Sequence, residues 1–448
     1  MTEPLLVGLD VGTTSSKAVV IARDGRELAH GRSSTPWTYT AEGAELDATA
    51  LTVAARSAVT QALAAAPSGP IAGLGVASMA ESGVLLDSER RPVGPIIAWH
   101  DRRDHVEVDE LAHEIGPEKF STTTGLPLRG QWSLTKQRWL GRHQPATGAA
   151  VRRLNIAEFI AADLGGDDAT EQSLASRTGW LQLRTRTWWP DTLSWSGIDE
   201  GLLPPLRLGG ESWGRVSPGR ASSRLAGAVL TVSGHDHQSA SIGVGAAGVG
   251  GELDSCGTAE ALVRTVSPGV SNEAVSVLTS GGITIGWHVL PERWCLLGAT
   301  EGGLTLSRVL GLLGLDARAL PDLDDRAMAL NATPVGIGVD EDGLLLHGIG
   351  DGVGPEHVWR AALEHVTAEA AVLHRLMSRF TGPSTGLVAT GGWSRSEGLV
   401  RVKNRLLGTV ERPPVAEAGA RGAALLAGLA AGVYAGHHDL PQPRAVLH

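Results

Sequence analysis

The sequence predicts an α/β fold divided into two domains. Two observations carry that expectation. Residues 5–21 read Leu-Leu-Val-Gly-Leu-Asp-Val-Gly-Thr-Thr-Ser-Ser-Lys-Ala-Val-Val-Ile, an apolar strand, a Gly/hydroxyl turn and a second apolar strand. Residues 252–263, Glu-Leu-Asp-Ser-Cys-Gly-Thr-Ala-Glu-Ala-Leu-Val, repeat that pattern like a worn copy. Around both hairpins, short apolar runs alternate with segments of helical spacing. The chain has 448 residues, too many for one core, so two domains of roughly 200 residues are expected. The cut falls near 243–251, giving domains 1–243 and 244–448.

After the first hairpin, residues 31–45 are polar and read as irregular. Asp47 to Ala66 carries apolar residues at helical spacing and stops at Pro67-Ser68-Gly69-Pro70. Ile71 to Val76 reads as a buried strand, followed by Ser78-Met79-Ala80-Glu81-Ser82-Gly83 and a strand at 84–87. Ile96 to Trp99 is a short strand running into His100-Asp101-Arg102-Arg103. Helices with Pro- and Trp-bearing loops extend to about Leu225. Val229 to Val232 is a strand that ends in Ser233-Gly234-His235-Asp236-His237-Gln238. In the second half, Trp359 to Phe380 is a long amphipathic helix and Leu387 to Thr390 a strand ending in Gly391-Gly392. Residues 398–407 are helical, and the small residues of 420–433 suit a closely packed helix.

Bulk properties narrow the function. A net charge of −10, spread rather than blocked, argues against nucleic acid or an anionic membrane surface as partner. Two cysteines, Cys256 and Cys295, without a CxxC, fit a reducing cytoplasm and exclude a Cys-rich zinc site. No secretory pattern opens the chain, and its longest apolar stretch, 423–435, is short and Gly-interrupted. A cytoplasmic protein without a membrane partner is expected.

The first hairpin holds the most informative chemistry. Backbone N–H groups of Gly12 to Thr14, with the hydroxyls of Thr13, Thr14, Ser15 and Ser16, can donate to phosphoryl oxygens. Lys17 adds a positive charge. Asp10 repels a phosphate, so its use there is to hold a cation, most simply Mg²⁺ through water. A plain Gly/Ser/Thr edge turn is the alternative. Two such hairpins imply one nucleotide held between the domains. Glu301-Gly302-Gly303 opens a helix whose free N–H groups suit that nucleotide. Asp236 ends a buried strand, where a side chain can enter a cleft as a general base or cap the following helix. His235 and His237 flank it; a zinc site would need further ligands that the sequence does not place.

Asp10-Val-Gly-Thr-Thr-Ser-Ser-Lys17, Trp99-His-Asp-Arg-Arg103, Gly234-His-Asp-His237, Cys256-Gly-Thr258 and Gly391-Gly392 occur in this order. Together they resemble the FGGY carbohydrate kinases, over nearly the whole chain to about Val433. The resemblance implies two ribonuclease-H-like domains of the actin/Hsp70 ATPase type, a deep cleft that closes on binding, ATP with Mg²⁺, and phosphoryl transfer to a small sugar or polyol. It implies that Asp236 is the base and that Glu81 accepts substrate hydroxyls. Trp99, Asp101 and Arg102 resemble the sugar-side segment, although Trp99 could equally be core and Asp101 part of an ion pair. Gln131 and Trp132, before Lys136 and Trp139, lie where a further substrate contact is common. Gly257 and Thr258 are expected at the distal phosphates, Gly391 and Gly392 against adenine or ribose, and Ser396 on the adenine side.

Ala80 stands where glycerol kinases carry Arg, and the Met-His pair of many xylulose kinases is absent at 79–80. The missing Arg at position 80, with the His-rich base segment, favours a ketose (pentulose or hexulose) over a linear polyol, and the resemblance implies transfer to a terminal hydroxyl. The turn at Thr258 continues Ala-Glu instead of the commoner Ser-Gly. A homodimer is expected from the resemblance alone. Competing readings are a non-catalytic ATP-binding sensor, which would have lost Asp10 or Asp236, and a phosphatase on the same fold.

Overall fold

The computed structural model describes residues 3–340 and 343–443. Two sheets of the same design dominate it. In the first, β1 (Leu5–Val11), β2 (Ser15–Ile21) and β3 (Glu27–Ser34) form an antiparallel meander. After the capped helix α1 (Ala48–Ala65), β4 (Ile71–Ser78) joins parallel to β1. β5 (Val229–His235) then joins parallel to β4 and runs directly into α2 (Asp236–Gly243).

The second sheet repeats this scheme. β6 (Gly251–Cys256) and β7 (Glu260–Val266) form the hairpin. β8 (Thr284–Trp287) and β9 (Trp294–Thr300) extend it on the β7 side. Helices α3 (Gly302–Leu312) and α4 (Pro355–Thr381) precede β10 (Gly386–Thr390), which lies parallel to β6. Helix α5 (Glu397–Leu407) leads to β11 (Val410–Glu411), and α6 (Ala418–Ala430) closes the described fold. A three-strand meander continued by two parallel strands, found twice, is the ribonuclease-H-like, actin/Hsp70-type pairing of domains.

The region read as irregular at 31–45 instead holds the end of β3 and two short strands, Thr38–Tyr39 and Ala44–Leu46. β3 is an edge strand with one face in water, so its apolar signal is weak. Its Gly31 has a packing reason: a Cβ there would lie 2.0 Å from the Ala58 carbonyl oxygen of α1.

Helix α6 shows why small residues matter at its position. It packs on β1, β4 and α2, so it lies on the first sheet although it comes late in the chain. A Cβ on Gly8 of β1 would stand 1.8 Å from the Ala420 carbonyl oxygen. The approach carries the fully buried Ala420, Ala424 and Leu425 onto Leu6 and Val19. It also brings the first turn of α6 beside Asp10, where a Cβ on Gly419 would lie 2.4 Å from Oδ2. No helix among the described residues is long and apolar enough to cross a membrane.

Candidate active site

A cleft of about 730 Å³ opens between the two sheets. Thr13, Glu81, Trp99, Gln131, Asp236 and His237, six of the residues singled out in the sequence, line it from the first half. Ala259, Ala261, Ala299 and Glu301 line it from the second.

Asp236 reaches the cleft because β5 ends in a sharp turn. Gly234 has φ +72°, a left-handed conformation that glycine adopts without strain, and a Cβ there would meet the Ser173 hydroxyl at 2.4 Å. Asp236 is therefore the first residue of α2. Its Oδ1 accepts the His237 backbone N–H at 2.7 Å and lies 3.2 Å from His235 Nε2. Oδ2 has no partner among the described residues and is left for the cleft. Burial pushes the carboxyl up to about 7; the Glu81 charge adds to this, while the His237 N–H, Arg177 and Lys17 oppose it. Burial, then Arg177 and His237, hold His235 well below the ordinary histidine value, so it is a neutral imidazole. To donate to Asp236 it must carry its proton on Nε2.

Asp10 sits at the end of β1 near Asp236. Its carboxyl is raised by burial first and by Asp236 second, against the pull of Lys17. Its Oδ1 is buried without a hydrogen-bond partner among the described residues. Two neighbouring buried acids, the first raised by the second and left with an orphaned oxygen, form a donor set that fits a divalent cation. Lys17, directly across the hairpin from Asp10, is paired with Glu417 at 3.0 Å. It is thus not the free phosphate cation that the sequence suggested.

The turn itself is Gly12 to Thr14. Trp37 Nε1 and the Thr35 hydroxyl donate to the Thr13 and Gly12 carbonyls, at 2.6 and 2.8 Å, and hold the turn's shape. Trp99 Nε1 donates to the Thr13 hydroxyl at 2.9 Å. Ser15 and Ser16, expected among the turn's donors, belong to β2 and are buried, because pairing with β1 resumes at Ser16.

On the sugar side, Glu81 is buried with φ +66°, a strained conformation for a non-glycine residue. Its Oε1 accepts Gln131 Nε2 at 3.2 Å and pairs with Arg177 at 2.6 Å. Arg177, in Ser173-Leu-Ala-Ser-Arg-Thr178, escaped the sequence reading. Its signal was one cation inside a run of small residues.

Three other assignments need correction. Asp101 does not line the cleft: its oxygens accept Nε, Nη2 and the backbone N–H of Arg103 and the Ala44 N–H, at 2.7–3.0 Å. The pair is structural, with Arg103 and not Arg102. Trp132 is fully buried and bonds the Pro127 carbonyl, so it supports the wall from behind. Ser396, 2% exposed, is the N-cap of α5: its hydroxyl accepts Leu399 N–H and donates to Asp324.

The glycines of the second half converge. A Cβ on Gly303 would stand 1.9 Å from the Gly257 carbonyl oxygen and 2.7 Å from that of Thr258. Gly391, φ +91°, lies against the Cys256 carbonyl. The start of α3, the turn at Gly257-Thr258 and the end of β10 therefore meet at one point, with Gly302 beside Glu260. Gly392 is exposed and crowds nothing.

Comparison with known proteins agrees with this arrangement. Residues 5–243 match the N-terminal domain of the FGGY family of carbohydrate kinases and residues 337–431 its C-terminal domain. The chain is 28% identical to a glycerol kinase of Renibacterium salmoninarum over 459 residues, covering 96% of this chain and 90% of the relative. It is 29% identical to a xylulose kinase of Streptomyces rubiginosus over 436 residues, covering 94% and 87%. Among solved structures, the xylulose kinase of Rhodospirillum rubrum superposes with a TM-score of 0.87 at 23% identity, covering 98% and 92%. Plasmodium falciparum glycerol kinase with ADP gives 0.87 at 19%, covering 99% and 93%. A gluconate kinase of Lactobacillus acidophilus gives 0.86 at 19%, covering 98% and 92%. At these identities the structures share the fold.

Proposed function

The chain belongs to the FGGY family of carbohydrate kinases, ATP-using phosphotransferases, and from that premise we propose that Asp236 is the general base that activates a terminal hydroxyl of a small sugar for attack on the γ-phosphorus of ATP. The observation that carries the reading is the free Oδ2 of Asp236, facing the cleft between two Gly-Thr hairpins and close to Asp10. The acceptor hydroxyl gives its proton to Oδ2 while its oxygen forms the new bond to phosphorus; the bond to the β-phosphate oxygen breaks and ADP leaves. His235 and the His237 N–H fix the carboxylate through Oδ1, so the reacting oxygen is held without being occupied. Glu81, anchored by Arg177, keeps a carboxylate oxygen for sugar hydroxyls, and Trp99 with Gln131 walls the sugar. The Gly12, Gly257 and Gly302 N–H groups already donate to the Ser15 and Ser255 carbonyls and the Thr300 hydroxyl, so the donors left for the phosphates are the N–H groups of Thr13, Thr14, Thr258 and Gly303; Gly391 and Gly392 border the nucleoside. Mg²⁺ held through Asp10 would neutralise phosphoryl oxygens.

Ala80 lies on the cleft wall without a donor, which disfavours glycerol. A five- or six-carbon chain such as the ketose expected from the sequence suits the space. Asp236→Ala is expected to lower kcat by roughly 10²–10⁴-fold in a coupled ADP-release assay with MgATP, while calorimetry still registers ATP binding. Near-normal kcat in that variant would remove Asp236 from the role.

A further inference from the structure

Arg129 and Arg177 are charges that a site for a neutral sugar does not require. Both guanidinium carbons lie over the same indole, that of Trp132, 5.2 Å and 5.1 Å from the ring centre. The platform is rigid, because Trp132 is fully buried and its Nε1 donates to the Pro127 carbonyl at 2.7 Å. Two like charges on one ring repel, and each gives up hydration unless a counter-charge replaces it. Arg177 has its replacement in Glu81 and in the Thr284 hydroxyl, both at 2.6 Å. The Arg129 guanidinium makes no hydrogen bond or ion pair among the described residues, yet Arg129 lines the cleft.

The other acids of the cleft do not serve it. Asp104 is held by Lys136 and the Thr135 hydroxyl. Glu301 pairs with Arg308, and Asp109 is solvent-exposed and makes no ion pair with Arg129. Asp236 faces the reacting hydroxyl. Removal from water, and then the repulsion of Arg177, pull Arg129 down to about 10 against the charge of Glu81, so it stays charged at neutral pH. What the Arg129 guanidinium lacks is an anion in hydrogen-bond contact.

We propose that the acceptor is a sugar acid, a polyhydroxylated carboxylate whose carboxylate is bound by Arg129 beside Arg177 while its far hydroxyl faces Asp236. The proposal rests on the kinase reading above and replaces a neutral ketose by an acid of similar length. A carboxylate matches the planar two-donor edge of one guanidinium. A phosphorylated sugar would present the same guanidinium with more charge, and the experiment separates the two.

The test is an acceptor panel with MgATP: four- to six-carbon aldonates, the ketoses and polyols of the same lengths, and the matching sugar phosphates. Wild-type kcat/KM is expected to favour one aldonate by roughly 100-fold or more over its neutral counterparts, because a site built around a buried polar group rejects a ligand that leaves it unpaired. Arg129→Gln is expected to raise KM for that acid roughly 10–100-fold, with the loss falling on KM more than on kcat, and Arg129→Lys to recover part of it. Preference for a neutral ketose, unaffected by Arg129→Gln, would overturn the proposal and leave the kinase reading intact. Preference for a sugar phosphate would overturn the carboxylate assignment. Silence from every acceptor with ATP bound would count against the kinase reading; calorimetric titration of the aldonates then decides the inference, supported by binding that Arg129→Gln weakens and overturned by no binding.

Discussion

The two hairpins have the same backbone plan and opposite electrostatics. In the first, Asp10 pairs across the strands with Lys17, and pairing closes at Val11–Ser16. In the second, the positions matching Asp10 and Lys17 are Ser255 and Ala261, and pairing closes at Cys256–Glu260, a turn tighter by one residue. Ala261 lines the cleft, so this hairpin presents small neutral groups there. Its charges point the other way: Asp254 and Glu260 are buried behind it and both bind the fully buried Lys403. The first hairpin thus keeps an acid whose charge the protein leaves uncompensated at one oxygen, and the second neutralises its acids internally. Reactive electrostatics is concentrated on one side of the cleft, while the other side contributes backbone donors and shape.

The comparison breaks most sharply at Asp10. Asp10→Asn keeps the size of the side chain and removes the charge proposed to hold the cation. A loss of roughly 10²–10⁴-fold in kcat is expected, with the apparent Mg²⁺ requirement moved to higher concentration in a titration at fixed ATP. Full activity with an unchanged Mg²⁺ titration would show that the two hairpins do not differ in this way.

On the opposite side, Lys403→Met leaves Asp254 and Glu260 buried without their cation. A loss of about 3–5 kcal/mol in unfolding free energy is expected, as for other broken buried pairs, read from the urea midpoint. The triple variant Lys403→Met, Asp254→Leu, Glu260→Gln is expected to regain most of it. If the single variant were as stable as wild type, the cluster would not be the internal neutralisation described above.

The base can be examined by pH. Asp236 accepts a proton only when ionised, and its carboxyl is raised to about 7. Acceptor kcat/KM is therefore expected to fall as pH drops through the neutral range, instead of holding down to the usual carboxylate range near 4. Glu81→Gln removes a negative neighbour that raises Asp236 and releases Arg177, which lowers it. Both changes act in one direction, so the acid limb is expected to move to lower pH. An unmoved limb would separate it from Asp236.

What could be read from the sequence follows the range of the interactions involved. The hairpin turns, Asp236 after β5 and Glu81 after β4 are legible because a strand end and a glycine turn leave local marks. Trp99 is legible through the same segment that misleads at Asp101, whose partners are Arg103, two residues on, and the Ala44 N–H, 57 residues back. Arg177 meets Glu81 across 96 residues and Lys403 meets Asp254 across 149, and no local pattern announces either pairing. Glu417 reaches Lys17 only because the small residues of α6 let it lie on the first sheet. Charge partners at long range were the unread part, and they decide which ionisable groups are free to act.

Ser396 gives the smallest and most discriminating difference. Its residue type fits both a nucleoside contact and a helix cap, but its hydroxyl is already engaged by Leu399 N–H and Asp324, and it is buried. Ser396→Ala should cost about 1 kcal/mol of stability, the usual value of a lost N-cap, and leave KM for ATP unchanged. Gly303→Ala is the matched probe on the same side of the cleft: its new Cβ would meet the Gly257 carbonyl, displace the turn and raise KM for ATP. A rise in KM for ATP from Ser396→Ala as large as that from Gly303→Ala would return Ser396 to the nucleotide site. An effect confined to stability would mean that nucleotide affinity on this side resides in the backbone of the turn and of α3.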